Sequence, residues 1–160
     1  VLLPEIIFSN KQNINWDDVE DYLGKYVGEL IEIAETRDII YIGNKFPDEY
    51  GGSSYTRKTK GARAKAKANA AQGIREMVEI ATDKVYRENH KEKHSEDAHN
   101  GWFYYVTRFA IPLYDNEKKT GEYNVYSACL VVNHAANGKM YLYDVVDIKK
   151  EASNPLKTIK

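Results

Sequence analysis

The sequence predicts an α+β domain in which an alanine-rich helix is followed by an antiparallel sheet, and three observations predict it. Residues 62–81 are dominated by alanine, lysine, arginine and glutamate, the side chains that lose least on becoming helical. From Trp102 onward the apolar residues recur at every second position, the period of strands rather than helices. Asn137-Gly138 sits between two such stretches and suits a two-residue type I′ turn.

The elements follow in order. Asn15 or Asp17 can cap a helix that continues through Val19, Tyr22, Leu23 and Tyr26 and weakens at Gly24 and Gly28. Residues 29–35 alternate apolar and acidic side chains and residues 39–42 are β-branched and aromatic, which predicts a small hairpin. Pro47, Gly51, Gly52 and two serines make residues 43–54 read as a mobile connection. One domain over 1–160 is therefore expected, with an N-terminal lobe at 1–50 and the helix and sheet at 55–156.

In the alanine-rich helix, Ala64, Ala68, Ala71, Ile74, Val78 and Ala81 trace a small, apolar stripe, while Arg63, Lys67, Asn69, Gln72 and Glu76 fall on the other side and Gly73 marks a bend. A polar segment over 83–100 holds His90, His94 and His99. Three strands are expected at 102–113, 122–134 and 139–149, with a fourth from the hairpin. The type I′ turn sets Leu130 opposite Val145, Val132 opposite Tyr143 and His134 opposite Tyr141. Alternation then puts Val125, Cys129, Val131, Met140, Leu142, Val146 and Ile148 on the core face with Phe103, Phe109 and Ile111. Trp102, Tyr104, Arg108, Tyr126, His134, Tyr141, Tyr143 and Asp147 fall on the outer face, and a one-residue slip would exchange the two sets.

Composition narrows the function. The 160 residues carry 23 basic and 24 acidic side chains, so net charge gives no licence for nucleic-acid binding and local distribution decides. Arg57, Lys58, Lys60, Arg63, Lys65 and Lys67 form a basic run without an acid; it reads either as a solvated helix start or as an anion-facing patch. No apolar run approaches the roughly 18–20 residues that span a bilayer, so membrane insertion is not expected. A lone cysteine, Cys129, forms no internal disulfide and fits a reducing, cytoplasmic compartment. The start at Val1, without a signal peptide's features, reads as a piece of a longer polypeptide.

Cofactor chemistry finds no motif: there is no Walker loop, GxGxxG after a strand, GxSxG or CxxC. His90 and His94 have the i, i+4 spacing for a zinc pair, with His99 beyond, but their surroundings are uniformly polar and favour solvated histidines, so no metal is expected. A metal-free ribonuclease asks only for an acid, a base and phosphate-holding cations. His94 can supply the proton transfer, Arg108 and Lys67 the phosphate contacts, and Tyr143 proton transfer or stacking. Trp102, Tyr104 and Tyr126 offer stacking surfaces, and Lys58 and Arg63 meet phosphates. The structural alternative is cross-strand tyrosine pairing, Arg108 neutralised by Asp147 and a solvated Lys67.

Four blocks carry a resemblance: residues 43–58 (GNKFPDEYGGSSYTRK), 65–72 (KAKANAAQ), 93–114 (KHSEDAHNGWFYYVTRFAIPLY) and 138–156 (GKMYLYDVVDIKKEASNPL). Together they resemble the large polyvalent protein-associated domain 3 family of phage and mobile-element proteins, over about residues 15–156. The family pattern falls on Lys93-His94, Asp97-Ala98, Gly101-Trp102 and residues 107–110. Relatives often have a basic residue where this chain has Tyr104, which removes part of any anion site, and tend to keep Lys67 and Asn69. The resemblance implies a toxin-like effector of the barnase, EndoU, colicin and RelE kind that cleaves RNA without metal, with a cognate immunity or assembly protein as partner. It also brings Tyr105 into the catalytic set and Asn69 into the substrate-binding one. A non-catalytic module that binds nucleic acid or protein through the same surfaces is the alternative.

Overall fold

The computed structural model describes residues 1–9, 13–88, 100–151 and 154–157, and it has the α+β architecture expected. Helix α1 (Trp16–Leu23) is capped by Asn15, whose side-chain oxygen accepts from the Asp17 N–H at 3.1 Å. Asp17 and Asp18 in its first turn suit the positive end of the helix dipole. A single 3₁₀ turn follows at Gly24–Tyr26. Strands β1 (Leu30–Glu32) and β2 (Ile39–Tyr41) form the expected hairpin.

The segment read as a mobile connection is instead two short helices, α2 (Phe46–Gly52) and α3 (Ser54–Lys58). Phe46 and Tyr50, four residues apart, bury together with ring centroids 5.6 Å apart, and this spacing outweighs the glycines. Pro47 sits in the first turn, where its missing N–H breaks no bond. Ser53 caps α3 by accepting from the Thr56 N–H at 3.2 Å. One cluster of buried residues runs from Leu23, Ile31 and Ile40 to Ala68, Tyr105 and Leu130, so the expected N-terminal lobe and sheet region share a core.

The alanine-rich stretch forms α4 (Gly61–Ala70), a 3₁₀ turn at Ala71–Gly73 and α5 (Ile74–Glu79). The bend falls where Gly73 meets the N-terminal segment: a Cβ there would lie 2.8 Å from Leu3 Cδ2. The predicted stripe is buried throughout. Lys67 and Asn69, assigned to the polar side, are buried too.

The strands β3 (Thr82–Arg87), β4 (Trp102–Asp115), β5 (Lys118–His134), β6 (Met140–Lys150) and β7 (Leu156–Lys157) complete the sheet. Its order is β1-β2-β6-β5-β4-β3, with β7 on β5. The sheet is antiparallel except where β2 runs parallel to β6, Ile40 opposite Met140. The hairpin thus covers the edge of β6. The opposite edge is covered by β3, a polar strand that its sequence does not announce.

Two turns differ from expectation, and both have a backbone cause. The type I′ geometry, with positive φ at both central residues, is adopted by Asn116 (49°) and Glu117 (69°) between β4 and β5. At Asn137-Gly138 only Gly138 is left-handed (84°), and the loop closes through Ala135 N–H to Lys139 and Gly138 N–H to Ala135, the three-residue form. His134 therefore pairs with Met140 and Val132 with Leu142, one residue from the predicted register. Irregularities between Val131 and Val132 and between Ser127 and Cys129 bring Leu130 opposite Val145, as predicted, and let Leu142, Val145 and Ile148 all reach the core.

The face assignment of β5 is correspondingly corrected. Tyr126, Ala128, Leu130 and Val132 point into the core, paired with Phe109, Thr107, Tyr105 and Phe103, while Val125, Cys129 and Val146 lie on the opposite side, as does Val131, which is itself buried. In β4 the predicted outward positions of Trp102, Tyr104 and Arg108 are kept.

Gly101, at φ 96°, opens β4 against the end of β3, and a Cβ there would stand 2.7 Å from the Arg87 carbonyl oxygen. Gly101→Ala is expected to destabilise the fold by about 1–3 kcal/mol, read as a lower denaturant midpoint with an unchanged slope. No helix among the described residues is long and apolar enough to cross a membrane.

Candidate nucleic-acid interface

The basic run gathers where α3 turns into α4. Thr59 and Lys60 make the corner, extended backbone between the two helices, and Lys60 offers α4 no side-chain cap. Arg57, Lys58, Lys60 and Arg63 are exposed and Lys65 is half-buried. No acid occurs between Glu49 and Glu76, and none of these five cations pairs with an acid among the described residues. Arg57 instead donates from Nε to the Gly52 carbonyl at 2.9 Å.

Two cavities flank this corner. One, of about 680 Å³, is walled by Trp16, Thr56, Arg57 and Lys65; the other, of about 440 Å³, by Tyr55, Lys58 and Arg63; Thr59 and Lys60 line both. Cations at the N-terminal turn of a helix oppose its dipole, which favours negative charge there. The first turn of α4 has no acid and no capping side chain, so nothing within the helix offsets these cations.

The predicted site residues do not converge. Lys67 is fully buried beneath α4, its Nζ 2.6 Å from Asp144 Oδ1 and 4.6 Å and 5.0 Å from the ring centroids of Tyr50 and Tyr55. Burial lowers the Lys67 pKa and raises that of Asp144, and their mutual bond opposes both shifts. The Tyr50 hydroxyl donates to the Lys67 carbonyl oxygen. Lys67 is neither solvated nor presented to a phosphate. Asn69 is consumed by the N-terminal segment, accepting from the Ile7 N–H at 2.8 Å and donating to the Phe8 carbonyl at 2.9 Å.

Tyr105 points into the core, where its hydroxyl donates to Asp38 Oδ2 at 2.7 Å; burial and this carboxylate raise its pKa well above the usual phenol range. Tyr126 is also buried, stacked on Phe109 with centroids 5.4 Å apart, not on the outer face. His134 packs its ring on Phe103, a core-face residue, at 5.6 Å rather than facing outward. His94, with His90 and His99, lies outside the described residues. Among the described residues no three His, Cys, Asp or Glu side chains gather as a metal-ligand set.

On the outer face Trp102 meets Tyr143 edge to face at 5.0 Å, and the Arg87 guanidinium lies 5.2 Å from the Tyr104 ring. Arg108 stands six residues along β4 from Trp102, roughly 20 Å away. Its partner is Glu151, at 2.8 Å, and not Asp147. This face is aromatic and β-branched, with Val85, Val106, Val131 and Val146 and few cations. Cys129 lies on it half-buried, and burial raises its thiol pKa to about 11, out of the reactive range.

Asp38 fixes the N-terminal hairpin to the sheet. Lys84 Nζ approaches its Oδ2 at 2.8 Å, joining the Tyr105 hydroxyl, and the Thr36 hydroxyl donates at 2.7 Å. Burial raises the Asp38 pKa, but the hydrogen bonds from Lys84, Tyr105 and Thr36 outweigh it and hold the carboxyl below its ordinary value. A carboxyl with a lower pKa folded than unfolded contributes stability that is fully present above the unfolded value, about 3.9, and is lost as pH falls through the folded value. Asp38→Asn is expected to cost roughly 1–3 kcal/mol at neutral pH. Denaturant melts should show the gap between wild type and variant narrowing below about pH 4.

No family model matches the chain, and no curated protein or solved structure matches it.

Proposed function

We propose that this domain is a nucleic-acid-binding module that grips the phosphate backbone through the α3–α4 corner. The observation that carries this reading is the set of five cations, Arg57, Lys58, Lys60, Arg63 and Lys65, clustered without an acidic partner around an uncapped helix start. A merely solvated helix start would be expected to carry acids or a capping side chain in its first turn. Local rules broken at one place, with the surrounding core intact, are characteristic of binding sites. A phosphate supplies the negative charge that the corner lacks. The outer sheet face is the weaker candidate, because Arg108 is neutralised by Glu151 and Arg87 lies over Tyr104.

The resemblance to phage and mobile-element polyvalent proteins fits such a module as part of a larger, multidomain polypeptide. Metal-independent RNA cleavage is the stronger form of the proposal, and it rests on His94, since Lys67, Tyr105, Arg108 and Tyr143 occupy separate places. The test is titration of labelled RNA and DNA in excess chelator, read by fluorescence anisotropy and by gel. Salt-sensitive binding supports the module; cleavage lost in His94→Ala would add catalysis. Failure to bind either nucleic acid at low salt would remove the proposal.

A further inference from the structure

Two cavities lie on either side of the corner, each with an aromatic wall. Resting on the phosphate-gripping reading above, we infer that the ligand is a single-stranded nucleic acid, with one base entering each cavity and stacking on Trp16 or Tyr55. Each cavity combines an aromatic wall with cations: Trp16 with Arg57 and Lys65 on one side, Tyr55 with Lys58 and Arg63 on the other. Thr59 and Lys60 line both and form the ridge between them. The helical spacing explains the division, because Gly61, Ala64 and Lys65 share one side of α4 while Ala62 and Arg63 turn to the other.

Trp16 and Tyr55 are both half-buried and held from behind. Trp16 packs against the core cluster at the start of α1. The Tyr55 hydroxyl accepts from the Ile148 N–H at 2.9 Å. Both rings are thus fixed in orientation, which lowers the cost of ordering them on binding. A backbone crossing the ridge would place its phosphate among Lys60 and its neighbours and its flanking bases in the two recesses. Paired bases are stacked inside a duplex and cannot splay into cavities. Every base has a face to stack, so recognition of this kind tolerates sequence.

The chain has two tryptophans, and Trp102 lies on the outer sheet face, so Trp102→Phe leaves Trp16 as the reporter at the corner. Short oligonucleotides would be titrated into this protein as single-stranded RNA, single-stranded DNA and duplex, with polyphosphate as a charge-only control. The expected result is saturable quenching of Trp16 emission by both single strands, none by polyphosphate, and weaker binding without quenching by duplex. In the otherwise wild-type protein, Trp16→Phe should abolish the corner's quenching while anisotropy still reports binding, which serves if the Trp102 variant does not fold. Tyr55→Ala should lower single-strand affinity roughly 5- to 150-fold. Single strands that bind without quenching, or a duplex that binds equally well, would overturn the base pockets and leave the phosphate grip standing. Absence of binding by every nucleic acid would overturn both.

Discussion

Lys67→Met is expected to destabilise the fold by about 3–5 kcal/mol. The substitution nearly preserves side-chain volume, so the loss comes from charge rather than from a cavity. It leaves Asp144 buried, its carboxylate stripped of the ammonium 2.6 Å away, and keeps only such contacts as the Val145 N–H at 2.8 Å. In a domain of this size each kcal/mol lowers the melting temperature by roughly 2–4 °C. Lys67→Met combined with Asp144→Leu should recover most of the loss, because removing both charges also removes the cost of burying them. Thermal melts of the two proteins decide the matter, and a single variant within about 1 kcal/mol of wild type would contradict a buried ion pair. The folded Lys67→Met protein should bind nucleic acid as wild type does, since Nζ never reaches the surface.

The opposite pattern is expected at the corner. Replacing Arg57, Lys58, Lys60, Arg63 and Lys65 together by glutamine should abolish most binding while leaving the fold intact. Relief of Lys60 and Arg63 at the positive end of α4 is offset by the loss of Arg57 and Lys58, which suit the negative end of α3, so the net change in stability should stay within about 1 kcal/mol. For the wild type, five phosphate contacts with a single strand correspond to a log–log salt slope of about −3.5, or roughly a hundredfold loss of affinity between 50 and 200 mM salt. Each cation removed should flatten the slope by about 0.7. A slope that stays steep in the quintuple variant would place the phosphate contacts elsewhere.

The alanine helix, its buried stripe, the N-terminal hairpin and the outward residues of β4 were legible because each depends on local period. What was not legible depended on partners far along the chain or on one backbone angle. Lys67 sits in a run of cations and reads as a surface charge free to meet phosphate; its acid lies 77 positions away. The face of β5 was inverted because a period-two pattern reads equally well in either phase where both faces carry apolar residues, as Val131 and Val132 do. The hairpin register slipped separately, because Asn137 does not adopt the positive φ that a type I′ turn requires. In α2 the signal was present, since Phe46 and Tyr50 have helical spacing, but proline and paired glycines masked it. Strand β3 is an edge strand and carries the polar sequence that edges favour. At the candidate site, the acid-free run announced the cations, but not that Trp16, forty residues upstream of its neighbours, would wall their cavity.

The parallel pairing of Ile40 with Met140 has a consequence for how the chain acquires its structure. Side-chain anchors to α5, β3 and β4 can form earlier, but β2 has no strand beyond β1 to pair with until β6 exists. At a synthesis rate of about 5–20 residues per second, the first hairpin would stand without its strand partner for several seconds behind the ribosome. Loops that span most of the sequence close slowly, which places folding toward the millisecond-to-second end of the range for small domains. Truncation just before Met140 should therefore leave Ile40 and Tyr41 without their parallel strand partner and open that side of the core, giving a chain that chaperones or proteases meet before it can fold.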